Sequence, residues 1–117
     1  MTAEQIAKKW LQAFNDGHLE NLLHLYHDQA EHYSPKLKTR MPESEGFIKG
    51  KEALRAWWKE AFERLPNLHY QEKTITGNHE RVFMEYLRIV PGEQNIQVAE
   101  VLEIKNESII ASRVYHG

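Results

Sequence analysis

An α+β fold is predicted for this chain of 117 residues by the order of its periodicities. Apolar residues recur at helical intervals in segments up to Leu65, whereas from Leu68 onward strand-like runs alternate with turn residues. Helices followed by a meander place the helices over one face of a curved, mixed but mostly antiparallel sheet. The length suits one domain over residues 1–117, with one hydrophobic core.

The first helix is announced by Thr2 and Gln5, which have capping-box spacing, and by Ile6, Trp10, Ala13 and Phe14. It runs to about Asp16, where Gly17 supplies a stop. Leu19, Leu22, Leu23 and Tyr26 form a second stripe ending near His27, and Ala30 to Ser34 reads as a brief strand closed by Pro35. Residues 35–50 hold Pro35, Pro42, Gly46 and Gly50 among charges, so a loop, a pocket rim or lid, is expected, anchored by Phe47 and Ile48. Lys51 to Leu65 is the third helix, with Leu54, Trp57, Trp58, Ala61, Phe62 and Leu65 on one broad face. Strands follow at Leu68 to Thr76, Arg81 to Val90, Asn95 to Lys105 and Ile109 to His116.

Composition excludes several classes of function. Fifteen basic residues against seventeen acidic ones create no field for nucleic acid or an anionic membrane, so the expected partner is a small uncharged molecule or protein. Cysteine is absent, which removes disulfides, thiolate metal sites and cysteine nucleophiles. No apolar run has membrane-spanning length and the start does not read as a signal peptide, so a cytoplasmic location is expected. A Gly-rich phosphate loop and a nucleophile elbow are both missing.

The central hairpin carries the strongest chemical signal. Pairing Val90 with Asn95 across the Pro91–Gln94 turn gives one face with Phe83, Glu85, Leu87, Ile89, Ile96, Val98, Glu100, Leu102 and Ile104. In that register Glu85 and Glu100 stand opposite each other in apolar surroundings, where repulsion and burial raise both pKa values and let the pair share a proton. A register off by one would turn them to solvent or to an interface, and a pocket-facing pair can also be structural. Alternate residues of the last strand (Ser112, Val114, His116) and of the first (His32, Ser34) are candidates for the same space, with His116 and His32 as proton carriers. Trp10, Phe14, Phe47, Trp57 and Trp58 supply aromatic area that suits a flat ligand or a core. Neighbours on a helix diverge by about 100°, so Trp57 and Trp58 are not expected to share one cavity. His24 and His27 have helical i, i+3 spacing, but no third metal ligand accompanies them, so no metal is expected. The other face of the hairpin, with Val82, Met84, Tyr86, Arg88, Val90, Gln97, Ala99, Val101 and Glu103, continues on the last strand through Ile109, Ala111, Arg113 and Tyr115. It is too apolar for water and suggests a homodimer.

The order of elements, with the segments Trp10-Leu-Gln-Ala-Phe-Asn-Asp-Gly-His-Leu, Ala30-Glu-His-Tyr-Ser-Pro and Gly50-Lys-Glu-Ala-Leu, resembles the nuclear transport factor 2-like superfamily, and within it the SnoaL-like and ketosteroid isomerase-like branch. The resemblance covers nearly the whole chain. It implies a cone-shaped α+β barrel, also called cystatin-like, whose bent sheet wraps a helix and leaves a pocket, in a superfamily of both enzymes and non-catalytic proteins that commonly dimerises through the sheet. Against ketosteroid isomerase, the tyrosine donor, the aspartate base and the protonated aspartate correspond to Trp10, Ser34 and Glu100, so only Glu100 keeps an acid. That family's carboxylic-acid donor is an established case of a carboxyl held neutral by its site. Against limonene epoxide hydrolase, Glu85 matches one carboxylate, while Phe83 and Val114 replace the arginine and the second carboxylate. The implied function is an apolar pocket, lined by Trp10, Phe14, Ser34, Phe47, Trp57, Trp58, Phe83, Leu87, Val98, Leu102, Ser112 and Val114. It would bind a small hydrophobic molecule without a cofactor and use Glu85, Glu100, His116 and His32 for isomerase, cyclase or hydratase chemistry. A non-catalytic binding or association module is the alternative.

Overall fold

A computed structural model describes Met1–Gly117. Helix α1, Ala3–Asp16, begins with the full capping box between Thr2 and Gln5 and ends at Gly17, whose φ of 64° is the left-handed cap geometry that glycine adopts without strain. Helix α2 spans Leu19–His24, and strand β1 follows at Tyr26–Tyr33. The second helix is thus shorter than its stripe suggests: Tyr26 sits on the sheet, and His27 is a strand residue rather than a helical neighbour of His24.

The expected loop over residues 35–50 is structured. Ser34 caps a short helix α3, Pro35–Arg40, through its hydroxyl, a 3-10 turn covers Pro42–Ser44, and Phe47–Lys49 forms the edge strand β2. Helix α4 then spans Lys51–Arg64. The strands β3 (His69–Gly77), β4 (Arg81–Ile89), β5 (Ile96–Lys105) and β6 (Ser108–His116) complete a six-stranded sheet in the order β2-β1-β6-β5-β4-β3. Only the β1–β6 pairing is parallel, so the sheet is mixed and mostly antiparallel. Irregular register within β1–β6, β3–β4 and β5–β6 adds curvature.

The register of the central hairpin differs by one residue from the sequence expectation. Met84, not Glu85, pairs with Glu100, and Glu85 pairs with Ala99. The inner face of β4 is therefore Val82, Met84, Tyr86 and Arg88, all buried against α1 and the core. Phe83, Glu85, Leu87 and Ile89 turn outward. The physical reason lies in the connection: the last pair is Arg88 with Ile96, which leaves a longer loop than the assumed four-residue turn, and one residue of slip inverts every side chain on a strand. On β5 the expectation of Val98, Glu100, Leu102 and Ile104 inside agrees with their burial.

Candidate functional site

The curved sheet and the flanks of α1 and α4 enclose a cavity of about 80 Å³. A single water needs roughly 10–15 Å³ of such space, so several water-sized groups fit, but nothing of steroid size does without movement. Its aromatic wall includes Trp10, Phe14, Trp58, Tyr70 and Tyr86. Trp10 lies 4.4 Å from Phe14 between ring centroids, and Tyr70 lies 4.3 Å from Tyr86, so this wall is continuous with the core. Both Trp57 and Trp58 line the cavity: Trp58 is buried in its wall and Trp57 is half-buried. The 100° divergence along α4 is bridged by the width of the two indole rings, both of which reach the lining.

Two polar centres are set into this wall. The first is built by the parallel pairing of His32 with Ser112, which puts their side chains side by side. Trp10 Nε1 donates to the Tyr26 hydroxyl at 3.0 Å, and Tyr26 donates to Ser112 Oγ at 2.9 Å. Ser112 Oγ lies 2.6 Å from His32 Nδ1. An indole can only donate, so protons run in one direction: Tyr26 gives its own to Ser112, and Ser112 gives its own to Nδ1. Burial holds the His32 pKa at about 3, so the ring is neutral at physiological pH. Its one ring proton is therefore on Nε2, which has no partner within the chain, while Trp58 packs 5.1 Å from the ring. Burial also raises the Tyr26 pKa well above the usual tyrosine range, so this hydroxyl keeps its proton.

The second centre is Glu100, 1% exposed. Its partner is Tyr86, which donates to Oε1 at 2.8 Å from the diagonal position on β4. No cation pairs with Glu100; burial raises its pKa to about 8, against a smaller opposing effect of the Tyr86 hydrogen bond. The carboxyl is thus neutral at pH 7. With Oε1 accepting from Tyr86, the acid proton belongs on Oε2, a buried atom with no hydrogen-bond partner. Such an atom costs about 1–3 kcal/mol unless something inside the cavity meets it.

The remaining sequence candidates divide by location. Ser34, Val98, Val114 and His116 line the cavity, while Leu102 and Ser112 are buried behind its surface. Exposed Glu85 accepts a 3.0 Å hydrogen bond from Thr74 on the outer face, so no shared-proton pair with Glu100 exists. Phe83 is 42% exposed, Leu87 lies on the same outer face, and Phe47 packs on Tyr33 at the sheet edge, 4.7 Å between rings. The epoxide hydrolase correspondence through Phe83 and Glu85 therefore points away from the cavity. Sequence reasoning missed Tyr26, Tyr70, Tyr86, Lys36, Arg64 and Arg88 as site residues. The usable signal was the alternation Val82, Met84, Tyr86, Arg88, Val90, an apolar face too rich for solvent.

The profile of the SnoaL-like domain matches residues 7–112, from α1 into the last strand. The chain belongs to the SnoaL-like family. Among solved structures it is similar to a SnoaL-like protein of unknown function from Burkholderia thailandensis E264, with 25% identity, a TM-score of 0.88 and coverage of 98% of this chain and 93% of that one. An uncharacterized cystatin fold protein from Novosphingobium aromaticivorans has 18% identity, a TM-score of 0.82 and coverage of 98% of both chains. A hypothetical protein with a ketosteroid isomerase-like fold from Catenulispora acidiphila, in complex with trimethylamine, has 18% identity, a TM-score of 0.75 and coverage of 98% and 86%. Among curated proteins none matches the sequence. The SnoaL-like assignment and the nuclear transport factor 2-like, cystatin-like architecture thus agree with the sequence resemblance. No helix of the chain is long and apolar enough to cross a membrane.

Proposed function

We propose that this SnoaL-like protein binds a small, mainly apolar molecule through one hydrogen-bond acceptor, and that Glu100 supports proton-transfer chemistry on it of the isomerase, cyclase or hydratase kind. The observation that carries the reading is the protonated, partnerless Oε2 of Glu100 in an aromatic cavity wall. His32 Nε2–H is a second neutral donor, so a carbonyl oxygen bound between the two would be polarised without a charged group being buried. His116, whose pKa is lowered first by burial and then by Lys36 and Arg88, is a neutral imidazole at the cavity and can take up a proton. No cofactor enters the reading. A neighbour of the same fold in complex with trimethylamine is in keeping with a compact ligand.

The test follows solvent deuterium entering beside the carbonyl of small cyclic ketones by NMR, with binding read from tryptophan fluorescence. The chain is expected to accelerate exchange, and Glu100→Gln, which keeps a donor but no transferable acid proton, should bind while losing about 10²-fold in rate. Binding without exchange in the unaltered chain would leave a non-catalytic binding module. Absence of binding would sink the reading.

A homodimer through the outer sheet face is proposed alongside it. Phe83 and Tyr115, 42% and 53% exposed, favour this face, and Arg113 and Glu103 lie beside them. The dimer face is the one carrying Phe83 and Leu87 rather than Tyr86 and Arg88, which the register places inside. Light scattering at micromolar concentration should give twice the 13.8 kDa chain mass, and Phe83→Arg should give the monomer.

A further inference from the structure

The charges around the cavity are distributed unlike those of the whole chain. The chain carries a formal net charge of −2, yet the residues lining the cavity include three cations, Lys36, Arg64 and Arg88, and one acid, Glu100, which is neutral. Arg88 is the informative one. It is 8% exposed, it sits on the inner face of β4 two residues beyond Tyr86, and its only ion pair is Nη1 to Glu93 Oε1 at 2.9 Å. Glu93 comes from the β4–β5 loop and is itself 42% exposed in its side chain. A guanidinium has five donors, so one contact leaves most of its fork unused in a nearly buried place. Lys36, half-buried at the start of α3, has no acidic partner within ion-pair distance, and its pKa is lowered by burial first and then by Arg88. Arg64 at the end of α4 is engaged by Glu60 at 2.9 Å. Cations so gathered repel one another, and Glu93 on Arg88 demonstrates that a carboxylate fits there.

We infer that the ligand of this cavity is an organic carboxylate, with its apolar body against the aromatic wall and its anionic group held at the mouth by Arg88 and Lys36. A planar fork beside a point charge suits a carboxylate: Arg88 grips both oxygens and Lys36 neutralises from the side. The sequence expectation of an uncharged partner came from whole-chain balance, which averages away a local cluster of this kind. The inference rests on the proposed binding function and adds the ligand's charge to it. Neutral donors at the floor and cations at the mouth together select a small apolar acid whose far end carries a hydrogen-bond acceptor.

The experiment titrates the 117-residue chain at pH 7 and low salt with 4-formylbenzoate and with the slimmer 4-oxopentanoate, each against its own amide, and with benzylammonium as the cation control. Binding is read by calorimetry and tryptophan fluorescence. The carboxylates are expected to bind at least tenfold more tightly than their amides, with benzylammonium weaker still. Lys36→Met should lower that preference severalfold. Glu93→Gln, a change of an exposed loop residue, should tighten carboxylate binding severalfold by freeing Arg88 and leave the amides alone. Equal affinity for acid and amide, or tightest binding of benzylammonium, overturns the anion assignment while amide binding that Glu100→Leu abolishes keeps the binding function standing. Binding of none of these compounds at millimolar concentration overturns both.

Discussion

Glu85 and Glu100 lie on adjacent antiparallel strands, on opposite faces of one sheet, and the two faces treat a carboxylate in opposite ways. On the outer face Glu85 is exposed and shares a hydrogen bond with Thr74, and nearby Glu103 is gripped by Arg81 at 2.7 Å and Arg113 at 3.1 Å. Charge there is paired or hydrated. On the inner face Glu100 pairs with no cation, only with a tyrosine hydroxyl, and burial makes it an acid that keeps its proton at neutral pH. The difference teaches that the chemical character of a carboxyl here is set by which face its strand register selects, because desolvation by itself outweighs one hydrogen bond.

The contrast can be broken most forcefully through packing. Trp58→Ala on the inner side should cost about 3–5 kcal/mol in chemical denaturation, whereas Phe83→Ala on the outer face should cost the monomer under about 1 kcal/mol. Next comes pH. The raised folded pKa of Glu100 means that its contribution to stability is fully present below about pH 4.5 and fades as pH rises through about 8. His32, lowered to about 3, acts in the opposite sense: the unfolded chain takes up its proton below about 6.5, so stability falls on acidification. The two effects oppose each other between about pH 4.5 and 6.5, which leaves a window from about 6.5 to 8 where Glu100 acts without His32. Stability should fall there by about 2 kcal/mol, at 1.36 kcal/mol for each pH unit. Glu100→Gln should flatten this decline and Glu85→Gln should leave it; a decline that survives Glu100→Gln contradicts the buried acid.

A smaller effect sharpens the directional chain of hydrogen bonds. Ser112→Ala removes the acceptor of Tyr26 and the donor to His32, and should cost about 1.5 kcal/mol. Nitrogen NMR should then show His32 no longer held with its proton on Nε2. Smallest of all, Glu85→Gln should change stability by less than about 0.5 kcal/mol, as an exposed residue with one weak partner does.

Periodicity made most of the architecture legible. The helical stripes of α1 and α4, the caps at Thr2 and Gly17, and the positions of all four later strands agree with their sequence signals to within a few residues. The short structures between Pro35 and Gly50 were hidden because their stability comes from contacts such as Ser34 capping α3 and Gly50 bonding to Ala30, not from a long apolar pattern. Of the site, Trp10, Phe14, His32 and Glu100 could be chosen from the sequence, since aromatic and ionisable residues among apolar neighbours stand out. Arg88 and Tyr86 were assigned to the wrong face despite their apolar alternation, because the assumed turn length set β4 one residue out of step.

Local propensity and alternation by themselves determined that this chain makes helices first and a sheet afterwards, and that Glu100 occupies an apolar strand face. Both follow from interactions between residues a few positions apart. Tertiary structure alone decided which glutamate is buried, which way protons point from Trp10 to His32, and that Lys36, Arg64 and Arg88 meet at one cavity. Those outcomes depend on strand register and on contacts between residues as far apart as Tyr26 and Ser112, and a shift of a single residue, to which periodicity is nearly blind, reverses them.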